Sequence, residues 1–384
     1  MSRRVFFYVQ HLLGIGHLRR AATLARALAR DGFDVLLVSG GAPVTGLDLG
    51  KARFHQLPPV RARDEGLREL SQLDGTPLDE DFRDRRTRQL VALLHSEVPD
   101  ILVTEQFPFG RTQLRFELLP LLEATRSLSK LPRIVSSIRD VLRDTASEAR
   151  IAETLALFDR FFDAVLVHAD PRLVSLDKSF SGWPHLADRA HYTGYVVEDE
   201  AIPAPAGDDG TGGVPCGEVI VSVGGGAVGG PLLRAAIAAR PLTSLSGRTW
   251  RLLVGGNLPD VDRSALHAGA GIEIEPARRD FTSLLARSAL SISQAGYNTV
   301  VETLMHGDRA VLVPFATARE TEQTRRAQVL AERGLVQTVS AEGLDGPILA
   351  AAVDRAMAGR SIRSFPPCDA KGGAKTAALL AALA

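Results

Sequence analysis

Apolar residues recur in short runs of two to five, each bounded by glycine or a polar stretch. That spacing predicts buried strands joined by helices. The first run, residues 5–9 (VFFYV), is followed by Gln10-His11 and the turn Gly14-Ile15-Gly16-His17. Leu18, Ala22, Ala25 and Ala29 then fall at helical spacing, with Leu24 and Leu28 beside them. Gly32 closes that helix, and residues 35–38 (VLLV) supply the next strand. Strand, helix and strand in this order form a βαβ unit, which implies a parallel sheet covered by helices. Further strands are predicted at 101–103, 134–136 and 164–167. Residues 61–88 break the pattern with dense mixed charge, so they read as an exposed excursion from the sheet, placed to act as a lid or to face an acceptor.

Between 198 and 217 the composition turns to proline, glycine and polar residues, as expected of a linker. A second α/β series follows, with strands predicted at 219–223, 251–254, 272–274, 290–293 and 310–313. The chain is therefore read as α/β, with two Rossmann-like domains at 1–197 and 218–384 joined by residues 198–217. The last, alanine-rich helix could pack on either domain. Ligands of open α/β sheets gather at the carboxyl ends of the strands, so a central cleft faced by both parallel sheets is the expected site.

Charge and cysteine narrow the classes. Lysine plus arginine equal aspartate plus glutamate at 45 each, with no basic stripe, which argues against nucleic acid held through its phosphates. Cys216 and Cys368 belong to no CxxC or Cys/His cluster, so neither a zinc site nor a disulfide framework is expected. Gln10, His11 and His17 interrupt the first apolar run, and no window approaches the ~20 apolar residues of a membrane span. A cytoplasmic protein is expected, with membrane contact limited to the periphery of the inner face.

The glycine turns are candidate phosphate sites. Gly14-Ile15-Gly16 lacks the third glycine of the dinucleotide fingerprint, where Arg19 stands, and the second strand ends in Ser39-Gly40-Gly41 without an acid for a ribose. Gly224-Gly225-Gly226 follows an apolar strand, and its backbone N–H groups and the next helix N-terminus would favour a diphosphate; a turn that binds nothing fits the same residues. Gly372-Gly373-Ala374-Lys375-Thr376 lacks the glycine that a Walker A loop places before lysine.

The most informative stretch runs from 293 to 334 and reads strand, glycine turn, helix, strand, loop, helix. Glu302 lies six residues after Gly296, where a carboxylate can accept both hydroxyls of a ribose whose phosphates sit at the helix start. Glu320 and Gln323 stand where they could bond sugar hydroxyls. The pattern G-x-x-x-x-x-E, L-V-P and E-x-x-Q-x-x-R-A resembles the C-terminal domain of MurG-type family 28 glycosyltransferases, which have the GT-B fold. By that resemblance Glu302 binds the nucleotide ribose, Glu320 and Gln323 contact the donor sugar, and Gly296, Tyr297, Asn298 and Thr299 line the phosphates and sugar. The Gly14-to-His17 turn is similar to the glycine-histidine loop of the same family, and it puts Gly14, Gly16 and Arg19 in a phosphate or acceptor loop. Three departures stand out: fewer glycines in the first loop, Glu320 for the usual aspartate, and Arg326 for the usual asparagine. Residues 105–110 do not match closely, so an acceptor other than the lipid-linked muropeptide is expected.

Two residues carry the expected chemistry. His17, kept neutral near a helix N-terminus, could take a proton from an acceptor hydroxyl; orienting a phosphate is the plainer alternative. Glu105 follows a strand, where it could bind acceptor or share the base role, or stay a solvated loop carboxylate. The D-x-D strings at Asp79-Glu80-Asp81 and Asp260-Val261-Asp262 read as solvated surface rather than metal ligands. The expectation is thus a metal-independent glycosyltransferase with no cofactor. Its donor is a nucleotide sugar, expected to be UDP-linked with UDP-N-acetylhexosamine as one form, and its acceptor is an unidentified lipid-linked or small molecule. The alternatives are a nucleotide-sugar hydrolase, which the glycine-histidine-arginine run beginning at Gly14 also resembles, and a non-catalytic nucleotide-sugar-binding protein.

Overall fold

The computed structural model describes residues 2–12, 14–63, 69–142, 147–197, 217–224, 228–256, 258–278, 280–315 and 321–384. Most of the expected linker thus lies outside the described residues. The chain divides into two compact units, one of residues 1–198 with 369–384 and one of residues 199–368.

The first unit opens with strand β1 (Arg4–Val9), helix α1 (Gly16–Arg30), strand β2 (Asp34–Ser39) and the short edge strand β3 (Arg53–Gln56). Helix α2 (Glu80–Glu97) leads to β4 (Ile101–Glu105), α3 (Arg115–Ala124) to β5 (Arg133–Arg139), and α4 (Glu148–Phe161) to β6 (Ala164–His168) and β7 (Ala190–Tyr192). The order across the sheet is β3-β2-β1-β4-β5-β6-β7, and every pairing is parallel. This is the Rossmann order with one added edge strand. Residues 5–9 of β1 are all buried, because helices cover both faces of a parallel sheet, and the strand therefore reads as an unbroken apolar run.

The region expected to be an exposed excursion is partly something else. Arg61–Ala62 and Leu70–Ser71 pair as a small antiparallel ribbon, and α2 begins at Glu80, capped by Asp79, whose side chain accepts from the Phe82 N–H at 2.7 Å. The buried residues of α2 are Phe82, Arg86, Leu90 and Leu94, a regular one-in-four stripe in which the second position is an arginine. That arginine hid the helix from the hydrophobic pattern.

Arg86 is fully buried because every polar group around it is matched. Its Nε donates to Glu117 Oε2 at 2.5 Å, and Nη2 donates to Glu117 Oε1 at 3.0 Å and Gln10 Oε1 at 2.9 Å. Nη1 donates to the carbonyls of Gly40 and Pro58, and the Tyr8 hydroxyl donates to Glu117. The cluster ties α2 and α3 to the end of β1. A Cβ at Gly40 would lie 2.1 Å from Arg86 Nη2, so glycine is needed there.

The second unit repeats the plan. Its elements are β8 (Val219–Ser222), α5 (Gly230–Ala239), β9 (Trp250–Val254), β10 (Ile272–Pro276), α6 (Phe281–Arg287), β11 (Leu290–Ser293), α7 (Tyr297–His306), β12 (Ala310–Leu312), α8 (Glu322–Glu332), β13 (Gln337–Thr338) and α9 (Gly346–Ala358). The sheet runs β10-β9-β8-β11-β12-β13, again all parallel. Trp250, Leu252, Ile292, Val311, Leu349 and Val353 form part of its buried core.

Helix α10 (Gly372–Leu383) belongs to the first unit. Its Ala377 and Leu380 join Leu18, Ala21, Leu24 and Leu28 of α1 in one buried cluster. The Gly372 N–H donates to the Tyr195 carbonyl at 3.0 Å, and a Cβ on Gly372 would lie 2.5 Å from that oxygen. The Walker-like glycines are thus a close-packing feature.

Removing one partner of a fully buried ion pair leaves the other charge unmatched. Arg86→Met should therefore lower stability by about 3–5 kcal/mol, and adding Glu117→Leu should recover part of that loss. Urea denaturation of Arg86→Met, Glu117→Leu and the double variant checks it; a double variant as unstable as the sum of the single ones would mean the pair is not coupled.

Candidate functional site

In the first unit the site grows from the carboxyl ends of β1, β4, β5 and β6. Residues at those ends can turn polar because the sheet's ladder hydrogen bonds stop there. Glu105 ends β4 with its side chain wholly inaccessible to solvent, so the solvated-loop reading does not hold. Donors surround its two oxygens. Oε1 receives the His17 Nδ1 at 3.0 Å and Arg20 Nη2, and Oε2 receives the Ser137 hydroxyl at 2.6 Å.

His17 lies in the first turn of α1 with its side chain 11% exposed. An ionised carboxylate only accepts, so Nδ1 carries the hydrogen and Nε2 is left as the basic nitrogen. Arg20 Nη2, 3.4 Å from the same Nδ1, is then a neighbouring charge rather than a donor to it. Glu105 favours the imidazolium, but its charge is already shared with Arg20 and Ser137. Burial, then the charges of Arg139, Arg111, Arg20 and His11, hold His17 well below its usual value of 6.5. The ring rests neutral.

Two further histidines sit in the same layer. His168 ends β6, fully buried, with Nε2 2.9 Å from the Ser137 hydroxyl and Nδ1 2.8 Å from the Thr193 hydroxyl. Burial, then Arg20, lowers it well below 6.5. His11 is 3% exposed and packs on Gly41, where a Cβ would approach its ring to 2.3 Å. Burial, then Arg111, lowers it to about 4, against a small opposing effect of the Ala42 backbone.

The other residues expected in this loop are placed differently. Gly14 and Arg19 are exposed and Gly16 is half-buried; the arginine that turns inward is Arg20, one residue further on. The sequence reading passed over Arg20, Ser137 and His168. The strand-end rule that singled out Glu105 would have found the last two, had the predicted strands been carried one or two residues further.

In the second unit the expected donor residues lie on the turns after β8 and β11. Gly224 has φ +65°, a conformation that glycine adopts without strain, and no atom stands within 4 Å of where its Cβ would be. Gly225, Gly226 and Glu320 lie outside the described residues. Gly296 caps α7 through its backbone alone, with open space at its Cβ position, so the first N–H groups of the helix have no side-chain cap. Tyr297 is buried, and Asn298, Thr299 and Glu302 are half-buried along that helix. Gln323, at the start of α8, accepts the Phe315 N–H on Oε1 at 3.1 Å.

Arg326, the departure from the usual asparagine, holds this turn in place. It is 1% exposed, donates from Nη1 to the Ala295 carbonyl at 2.7 Å and from Nη2 to Glu322 at 2.6 Å, and lies 5.8 Å over the Tyr297 ring. The D-x-D strings serve locally: Asp79 caps α2, and Asp262 pairs with Arg234 at 2.7 Å. Among the described residues no group of three or more His, Cys, Asp or Glu could hold a metal ion, and no helix is long and apolar enough to cross a membrane.

Comparison with known proteins places both halves. Along its whole length the chain superposes on the calicheamicin glycosyltransferase CalG4 with a TM-score of 0.64 at 17% identity, covering 100% of this chain and 98% of that one. It superposes on Acinetobacter baumannii MurG with a TM-score of 0.60 at 16% identity, covering 99% and 100%. The two units therefore have the GT-B fold of glycosyltransferases. Residues 220–376 match the glycosyltransferase family 28 C-terminal domain. A curated relative from Aromatoleum aromaticum, UDP-N-acetylglucosamine--N-acetylmuramyl-(pentapeptide) pyrophosphoryl-undecaprenol N-acetylglucosamine transferase, is 30% identical over 184 residues, 45% of this chain and 49% of that one. The chain spans about half the length of the curated relatives it matches, or less.

The buried neutral histidines have a thermodynamic consequence. A histidine whose folded pKa is depressed contributes stability that is present above its unfolded value near 6.5 and is lost as pH falls toward the folded value. For His11, lowered to about 4, the contribution is about 3 kcal/mol, lost between about pH 6.5 and about pH 4. The urea midpoint should fall across that window, and less steeply in His11→Gln; equal slopes would show that His11 does not stay neutral in the fold.

Proposed function

We propose that the chain transfers a sugar from a nucleotide-sugar donor to an acceptor hydroxyl, without a metal ion. The observation that carries this reading is the His17–Glu105 pair, a neutral imidazole with its Nδ1 hydrogen committed to a buried carboxylate. The family 28 match over residues 220–376 supplies the donor side. UDP-N-acetylhexosamine is the proposed donor class, since the Aromatoleum relative is named for UDP-N-acetylglucosamine.

In this reading the diphosphate lies at the uncapped N-terminus of α7 and the Gly224 turn. Backbone N–H groups and the helix dipole meet its charge there, and meet the charge that grows as it departs. Glu302 accepts the ribose hydroxyls, and Gln323, with Glu320, contacts the sugar. His17 Nε2 takes the acceptor's proton as its oxygen attacks the anomeric carbon, and Glu105 stabilises the imidazolium that forms. The hydrolase alternative keeps the same parts and puts water in place of the acceptor.

Glu302→Ala should weaken donor binding by about 1.5–3 kcal/mol, as for charge-assisted hydrogen bonds. Unchanged UDP affinity by calorimetry would remove the ribose assignment. His17→Ala should bind donor normally and lose nearly all turnover, and in the unsubstituted protein the acid limb of kcat should lie below pH 6.5, because the ring is held neutral there. Normal turnover in His17→Ala would end the base assignment. Rapid stoichiometric release of free sugar from UDP-sugars alone would favour hydrolysis over transfer.

A further inference from the structure

Ser137, His168 and Thr193 have no part in the mechanism above, yet all three are fully buried and linked to it. The direction of each hydrogen bond follows from the one before. Glu105 Oε2 can only accept, so the single Ser137 hydroxyl hydrogen is spent on it at 2.6 Å. The Ser137 oxygen must then accept from His168, 2.9 Å away, which places the His168 hydrogen on Nε2. His168 Nδ1 is left as an acceptor, and the Thr193 hydroxyl stands 2.8 Å from it as the donor. The Gly194 carbonyl, 2.9 Å from the same hydroxyl, is a second acceptor that shares its one hydrogen. The Ser137 and His168 hydrogens both point toward Glu105, and the far end of the same carboxylate holds His17.

We propose that Ser137 and His168 are positioning residues for the base, forming with Thr193 a one-way line of hydrogen bonds that fixes the Glu105 carboxylate and, through it, the Nδ1–H form of His17. The inference rests on the reading of His17 as the base, and it adds what sets that base's tautomer. Neither residue touches the acceptor. A carboxylate held on one oxygen only can turn about its terminal torsion, and a turn carries Oε1 away from His17. Anchoring Oε2 prevents it. His168 stays neutral while doing so, since burial and Arg20 both disfavour its cation.

The test uses His168→Leu, which removes the donor, His168→Gln, which keeps an N–H near the position of Nε2, and Ser137→Ala, which removes only a hydroxyl. Two readouts are taken on full-length protein whose folding circular dichroism confirms. Steady-state transfer to a working acceptor gives kcat and donor KM, and long-range proton–nitrogen spectra give the tautomer of His17. Both His168→Leu and Ser137→Ala should lower kcat roughly tenfold or more with donor KM unchanged, and the His17 ring should pass from one tautomer to a mixture. His168→Gln should recover most of kcat. If both donor-less variants keep the unsubstituted kcat and the His17 tautomer, the line is packing only and the proposal falls, even while His17→Ala is inactive. Turnover retained by His17→Ala would instead remove the base reading, with the tautomer spectra still deciding whether the line orders the ring.

Discussion

A carboxylate shut away from water is unstable unless its lone pairs are filled, and Glu105 imposes that demand on the first unit. The end of β4 is reached by few groups, so the donors come from neighbouring elements: His17 and Arg20 from the first turns of α1, and Ser137 from β5. The register sets this meeting, since Glu105 pairs with Ser137 across the β4–β5 ladder and Arg139 with His168 across β5–β6. A sheet that is parallel throughout gathers such residues at a single end, and chemistry concentrates there.

In the second unit the turn before α7 presents backbone rather than side chains. Gly296 leaves the start of α7 open, and the turn before it is braced from behind by Arg326 through the Ala295 carbonyl. The arginine is itself balanced by Glu322 one helical turn earlier on α8. A guanidinium spans this gap with two donors at once, which the shorter asparagine amide cannot do in the same way. Arg326 thus ties the turn before α7 to the first turns of α8.

What could be read from the chain follows from how it is buried. Strands covered on both faces, such as residues 5–9 and 35–38, announce themselves as apolar runs, whereas the edge strands β3 and β13 are short, partly exposed and carry no such run. Helix α2 was obscured by Arg86, since a pattern of apolar positions cannot show that a buried charge has found Glu117, thirty-one residues away. The site was legible in the same measure. Glu105 stands at a strand's carboxyl end, where the fold gathers ligand groups, but its partners depend on which side chains three different elements bring together. Arg19 and Arg20 could not be told apart from spacing alone. A difference of one residue on a helix turns a side chain by about 100°, enough to separate solvent from interior.

Helix α10 completes a core whose other parts are made at the opposite end of the chain. Leu24 and Leu28 of α1 wait for Ala377 and Leu380, with the whole second unit translated in between. On the ribosome, domains tend to fold in order as they emerge. Here the earlier unit must instead remain partly uncovered while the later one forms, so any nascent chain halted before residue 369 presents an apolar face to chaperones and proteases.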